Sequence, residues 1–345
     1  MKSPVVLTGA TGYLGSQILN ELLTDGYEVR ITSRNPKKTQ GEGWLKPLMK
    51  KYNDQLKIFK GDLMEDGSFD EVMKGAKGLI HSASPFRIDG IKDPVKELID
   101  PAKKGTRNVI QSAEKAGTIE KIVVTSSLAA IYGDAIDIKE HEESVFSEKH
   151  WNTTSSEKHM PYSYSKTVAE KEAWRLADGK NWKLVTINPG FIVGPTMTDR
   201  SDSTSIQTIA NMLNGKFKSG VPDIYFAMVD VRDVAKAHVK ALEMDSEGRH
   251  VCANETKNLL EIAELLNDIA GDKYKKIPKR KLPKFLTYIF GPLLAGFTWS
   301  YLNKNLGIPV YFNNSKIKSS LDMTFRPLKE TLSDQVEQLK SDGIV

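Results

Sequence analysis

"LTGATGYLGSQ", Leu7 to Gln17, sets Gly9, Gly12 and Gly15 between an apolar run and a helical pattern. The run before them, Pro4–Thr8, reads as a short buried strand. After them Ile18, Leu19, Leu22 and Leu23 recur at helical spacing until Asp25-Gly26 ends the pattern. Glycine at such a turn meets three needs: a tight reversal, close approach of a pyrophosphate to the backbone, and close packing of helix on sheet. The helix start then offers unpaired N–H groups to an anion. Three spaced glycines alone say little. Between an N-terminal strand and an amphipathic helix they predict a dinucleotide site.

The same alternation continues outward. Tyr27–Thr32, Leu56–Lys60, Gly78–Ala83, Lys121–Ser126 and Trp182–Ile187 read as further strands. Helical stretches are expected at Ser68–Lys74, Pro94–Ala116 and around Lys166. Buried strands separated by helices predict an α/β fold, a doubly wound parallel sheet of Rossmann type covered on both faces. Past Pro189-Gly190 the pattern loosens into a helix from about Val231, a late strand over Glu247–Asn254 and an amphipathic helix over Asn258–Gly271. The expected division is a nucleotide-binding domain over 1–190, with 229–254 packing back onto it, and a smaller mixed substrate lobe over most of 191–345.

Composition narrows the function. The 345 residues are 39% hydrophobic and 27% charged, the balance of an ordinary globular protein. A net charge of +5 from scattered lysines gives no case for nucleic acid. Cys252 is the single cysteine, which excludes an internal disulfide and a cysteine zinc cluster; no metal is expected. No apolar leader follows Met1-Lys2-Ser3-Pro4, so the expected location is cytoplasmic. One stretch breaks the even composition: "KYKKIPKRKLPK" (Lys273–Lys284) runs straight into "FLTYIFGPLLAGFTWSYL" (Phe285–Leu302). The expectation is a buried or lid-forming segment behind solvated lysines; the competing reading is a peripheral membrane contact through 273–302. Monomer and homodimer both stay open.

An NAD site places an acid about 20 residues past the glycines, at the end of the second strand. Here "TSRNPKK" (Thr32–Lys38) puts Arg34 in that place, with Lys37 and Lys38 beyond it. A cation cannot accept the ribose 2′-hydroxyl but can pair with a 2′-phosphate, so NADP is expected rather than NAD. Asp62, after the third strand, is either a partner for the adenine amino group or a helix cap.

"MPYSYSKTVAEKEAW" (Met160–Trp174) carries two tyrosines ahead of one lysine. On a helix Tyr162 and Lys166 share a face, whereas Tyr164 and Lys166 point apart. A free phenol has a pKa near 10; Lys166, with the positive charge of an oxidised nicotinamide, is expected to favour phenolate and draw Tyr162 toward neutrality.

Together these segments resemble the extended short-chain dehydrogenase/reductase family: TGATGYLG, Gly61-Asp62, Thr125-Ser126-Ser127, Tyr162xxxLys166 and Asn188-Pro189-Gly190 occur in its order and spacing. Within it "HSAS" (His81–Ser84), "KDP" (Lys92–Pro94), "YSKT" (Tyr164–Thr167), "VGP" (Val193–Pro195) and "VDVRDVAKAH" (Val229–His238) resemble the dihydroflavonol reductase and cinnamoyl-CoA reductase branch. The resemblance covers Val5 to about Asn254. It implies Ser127, Tyr162 and Lys166 as the catalytic set, with Ser127 preferred to Ser126 because it directly precedes Leu128-Ala129-Ala130. It also implies coenzyme contacts from Gly9, Thr11, Gly12, Tyr13, Leu14, Gly15, Arg34, Lys37, Asp62, Leu63, Ala83, Ser84, Tyr162, Lys166 and Pro189. Its activity is reduction of a carbonyl compound to an alcohol with NADPH, Tyr162 giving the proton. Where plant dihydroflavonol reductases carry a substrate-holding asparagine, this chain has Tyr132, so Ser127 and Tyr132 are substrate-contact candidates without a named substrate. His81 is expected at the crevice or buried at a strand end, and His238 is expected to be structural. The competing functions are a nucleotide-sugar epimerase or dehydratase, a hydroxysteroid-type dehydrogenase, and a non-catalytic NADP-binding sensor.

Overall fold

β1 (Lys2–Thr8) runs through the middle of a seven-stranded sheet and pairs in parallel with β2 (Tyr27–Ser33) on one side and β4 (Gly78–His81) on the other. In this computed structural model residues 2–84, 91–140, 143–198, 203–271, 274, 276–294 and 297–345 are described. β3 (Leu56–Lys60), β5 (Lys121–Thr125), β6 (Lys183–Pro189) and β9 (Gly248–Cys252) complete the sheet, in the order β3-β2-β1-β4-β5-β6-β9 and parallel throughout. The order reverses between β1 and β4. Ligands of such sheets bind at that switch, beyond the strands' carboxyl ends.

Alternation along β1 shows why both faces are covered. Val5 and Leu7 pack with Ile18, Leu22, Val234 and Val239, from the Tyr13–Thr24 and Val231–Glu243 helices. Val6 points to the opposite layer, against Val109, Ile110 and Ala173 of the Asp100–Ala116 and Pro161–Ala177 helices. The doubly wound parallel sheet expected from the sequence is present.

A three-stranded sheet stands apart: β8 (Tyr225–Asp230) pairs in parallel with β7 (Phe191–Val193) and antiparallel with β10 (Glu255–Asn258). The Leu259–Ala270 helix, closed by an Asn258–Glu261 capping box, packs there with the C-terminal Leu328–Ser341 helix. Neither β8 nor that last helix was expected. β8 runs straight into the Val231–Glu243 helix through Asp230, whose carboxylate accepts the Arg232 N–H at 2.7 Å, so strand and helix read as one segment.

Two further expectations change. The Ser68–Lys74 stretch reduces to a single turn, Asp70–Met73. The Pro94–Ala116 stretch is a widened π turn over Val95–Ile99 followed by the Asp100–Ala116 helix. Pro101 has no N–H to return to the preceding turn, which favours widening there.

The aromatic segment is only half buried. The Lys284–Leu294 helix hides Thr287 and Gly291 but leaves Phe285, Ile289 and Phe290 exposed, as is Trp299 at the start of the Trp299–Asn305 helix. The expected burial fails for these four, because one side of the helix meets the protein and the other meets solvent. Lys273, Lys275, Ala295 and Gly296 lie outside the described residues. Among the described residues no helix is long and apolar enough to cross a membrane.

Candidate active site

The glycine turn sits at the switch. Gly9 has φ +77, and a Cβ there would lie 2.6 Å from the Ala83 N; a Cβ on Gly15 would lie 2.0 Å from the Gly9 carbonyl oxygen. Neither position admits a side chain. Gly12 caps the Tyr13–Thr24 helix with no side-chain hydrogen bond, so the first N–H groups remain for a ligand. Thr11 and Tyr13 are half-buried there and Leu14 is buried. Tyr13 donates its hydroxyl to the Gly194 carbonyl at 2.7 Å, fastening the turn to the segment after β7. This cradle fits a dinucleotide's pyrophosphate.

Arg34 and Lys37 are exposed beyond the end of β2, with Lys38, on a turn in which Asn35 caps a short helix by accepting the Lys38 N–H at 3.1 Å. Asp62 holds its own turn: one carboxylate oxygen accepts the Met64 N–H at 2.9 Å. Leu63 is fixed through its carbonyl, which accepts from Asn108 Nδ2 at 2.9 Å.

On the other side of the switch, the Pro161–Ala177 helix carries Tyr162 and Lys166. It starts from Met160, which has φ +54, a strained value for a non-glycine residue, and then from Pro161, suited to a first helical turn. Lys166 Nζ donates to Ser84 Oγ at 3.0 Å and lies 5.6 Å from the Tyr162 ring centroid. Pairing on one helical face follows from the four-residue spacing.

Without coenzyme, burial decides the titration of both groups. Burial pushes the phenol up to about 12 and the Lys166 amine down to about 8. In the protein without ligand, loss of water around each group outweighs the attraction between them.

Of the paired serines, Ser126 is buried with its hydroxyl donated to Glu170, whereas Ser127 is half-buried in extended conformation and accepts the Ala129 N–H at 3.1 Å. Ser126 is tied into the wall. Ser127 retains its hydroxyl proton for another acceptor. Pro189 is buried at the end of β6, paired with Cys252.

A buried ion pair behind this wall escaped the sequence reading. Glu170, four residues past Lys166, accepts from Arg249 Nε at 2.6 Å, Asn188 Nδ2 at 2.8 Å, Thr186 Oγ1 at 3.2 Å and Trp174 Nε1 at 3.2 Å. Arg249 also donates to the carbonyls of Glu148, His150 and Ala130, and its guanidinium stacks 3.9 Å from the Trp151 ring centroid. Asn188 Nδ2 also donates to the Ser127 carbonyl at 3.2 Å. One carboxylate thus joins the end of β5, the end of β6, β9 and the tyrosine–lysine helix. The one available signal was the i, i+4 spacing from Lys166.

Tyr132 packs its ring on Phe146 and Phe312, at 5.0 and 5.4 Å between centroids, in a cluster with Leu128 and Ile131. His81 is buried at the end of β4 and His238 within its helix.

The profile of the NAD dependent epimerase/dehydratase family matches residues 5–254. The chain belongs to this family. Among relatives in it, cinnamoyl-CoA reductase CAD2 of Medicago truncatula is 33% identical, over 97% of this chain and 95% of that protein. A bifunctional dihydroflavonol 4-reductase/flavanone 4-reductase of Malus domestica is 28% identical, over 99% and 91%. The crystal structure of Gre2 in complex with NADPH from Candida albicans superposes with a TM-score of 0.80 at 30% identity, over 99% of each chain. The resemblance to the extended short-chain reductases, and to their dihydroflavonol and cinnamoyl-CoA branch, therefore holds.

Proposed function

We propose that this chain reduces the carbonyl of a small, largely apolar aldehyde or ketone to an alcohol with NADPH. The observation that carries the reading is the Tyr162–Lys166 pair, set beside Ser84 at the switch point opposite the glycine turn. Support for the coenzyme comes from Arg34 and Lys37 where an acid would otherwise hold the ribose, and from the NADPH in the Gre2 complex. Residues 1–190 with 229–254 would form the coenzyme side, and most of the remaining residues of 191–345 the substrate side.

The glycine turn, Thr11, Tyr13 and Leu14 would hold the pyrophosphate on backbone N–H groups; Arg34 and Lys37 the 2′-phosphate; Asp62 and Leu63 the adenine end; Ala83, Ser84, Lys166 and Pro189 the nicotinamide riboside. When bound, NADPH supplies the hydride. The Ser127 hydroxyl donates to the substrate oxygen as it gains charge, and the Tyr162 phenol gives that oxygen its proton. Lys166 as ammonium stabilises the phenolate left behind. Tyr132 lines the substrate end, where a phenol replaces an amide and changes what the pocket accepts.

The test is NADPH oxidation with a panel of aromatic and aliphatic aldehydes and ketones. Tyr162→Phe is expected to lower turnover by about 10²–10⁴-fold while NADPH binding, followed by its fluorescence, persists. Undiminished turnover in that variant would remove Tyr162 from the mechanism.

A further inference from the structure

Charge is distributed unevenly along the chain. Residues 273–321 contain ten of the 49 lysines and arginines and none of the 44 aspartates and glutamates, so the rest of the chain is net negative. Within this stretch lie five of the seven exposed large apolar side chains among the described residues, and four of them share one face: Phe285 is 63% exposed, Trp299 62%, Ile289 51% and Phe290 45%. Phe285 and Ile289 are one turn apart on the Lys284–Leu294 helix, and Tyr288 of that helix meets Trp299 at 6.4 Å between ring centroids, which joins the two helices in one patch. Lys281 pairs with Asp223 and Lys304 with Asp134, whereas Lys279, Arg280 and Lys284 stand exposed at the border.

The geometry points to this face as a docking site for an anionic lipid bilayer, with Phe285, Ile289, Phe290 and Trp299 inserted at the headgroup boundary and Lys279, Arg280 and Lys284 on the lipid phosphates. Three aromatic rings and an aliphatic side chain facing water are a standing cost that an acyl boundary removes. Each cation near an anionic leaflet adds to the attraction, so three make the contact selective for charged lipid. A second copy of the chain fits poorly, because a two-fold contact would set this acid-free stretch against itself. The patch also lies next to the substrate end: Asn305, on the Trp299–Asn305 helix, donates to Asp134 at 2.8 Å, two residues past Tyr132. Docking there would turn the pocket region toward lipid-dissolved substrates.

The experiment is cosedimentation of the full chain with phosphatidylcholine vesicles, with and without phosphatidylserine, at low and high salt. Wild type is expected to pellet only with phosphatidylserine vesicles and to be released by salt. A Phe285→Ser, Ile289→Ser, Phe290→Ser variant and a Lys279→Gln, Arg280→Gln, Lys284→Gln variant should each bind at least about tenfold more weakly. Both should keep wild-type turnover of a water-soluble carbonyl and wild-type melting. Absence of wild-type pelleting with anionic vesicles would overturn the proposal, as would pelleting that neither variant weakens. A wild-type dimer that the serine variant makes monomeric, without vesicle binding, would assign the face to a second copy instead. Vesicle binding needs no turnover, so its failure and the failure of the reductase reading are separate results.

Discussion

Lys166 Nζ and Ser84 Oγ meet at 3.0 Å, joining the tyrosine–lysine helix to the chain just past β4. The amine sits there against its own preference, since burial lowers its pKa to about 8. In the unfolded chain the value is near 10.4, so at neutral pH folding must hold a charge in a poorly hydrated place. Lys166→Met is therefore expected to raise stability, by on the order of 2 kcal/mol at pH 7, while carbonyl turnover falls at least about 100-fold. The sign carries a pH signature. Between about pH 8 and 10.5 the unfolded state holds the proton that the folded state has released, so the wild type gains on the variant as pH rises through that window. Melting temperatures of both proteins from pH 7 to 10.5 test it; a variant that melts lower at pH 7 counts against a strained amine.

Arg34 is exposed at the rim beyond β2, where its contribution would be made to the coenzyme and not to the fold. Arg34→Asp is expected to lower kcat/KM for NADPH by about 10–100-fold, the loss of a charge-assisted contact, and to leave or improve the value for NADH. Melting without coenzyme should be unchanged. An equal loss for both coenzymes would mean that Arg34 acts on something other than the 2′-phosphate.

What the sequence made legible was local. The three glycines report steric needs set within a few residues, and the 2.0 Å clearance at Gly15 is that need in the fold. Tyr162 and Lys166 were paired by helical spacing alone. What stayed hidden depended on distant parts of the chain. Glu170 and Arg249 are 79 residues apart, and no spacing rule links a helix to the last strand of the sheet. The raised pKa of Tyr162 without coenzyme stayed hidden for a related reason: a sequence places the lysine beside the phenol but does not show how little water reaches either. Ser126 and Ser127 look alike in sequence, yet only the first is tied to Glu170.

His81 and His238 are both held neutral. Thr8 Oγ1 accepts the Ala83 N–H at 3.2 Å and shares a hydrogen bond with His81 Nδ1 at 2.8 Å. His238 Nδ1 faces the Val234 carbonyl at 2.8 Å and must carry the proton, leaving Nε2 to accept from Thr125. Burial pulls both down to about 4. The unfolded value is near 6.5, so below that pH the unfolded chain binds protons that the folded one refuses. Stability is fully present above pH 6.5 and is lost as pH falls toward 4, by up to about 3 kcal/mol per histidine. Melting temperature against pH should show this descent, and His238→Gln should flatten part of it. An unchanged slope in the variant would remove His238 as a cause.

Glu170 and Arg249 are both buried, and their pairing at 2.6 Å lies inside the wall that carries Ser127. Removing one partner of such a pair costs about 3–5 kcal/mol, because the remaining charge has no solvent to return to. Glu170→Gln keeps the size of the side chain and takes away its charge. It should destabilise the protein by about that amount in urea unfolding, with an unchanged m-value. Arg249→Met alone should cost a similar amount, since Glu170 would then hold its charge on neutral donors only. The double variant should be less unstable than the two losses added together, because neither charge is left alone. Turnover offers a second readout. Glu170 orients Ser126 and Asn188, and Asn188 holds the Ser127 carbonyl, so Glu170→Gln should lower kcat more than it raises KM. Simple additivity of the two variants, with kcat preserved, would reduce the pair to an isolated structural contact with no hold on the serine.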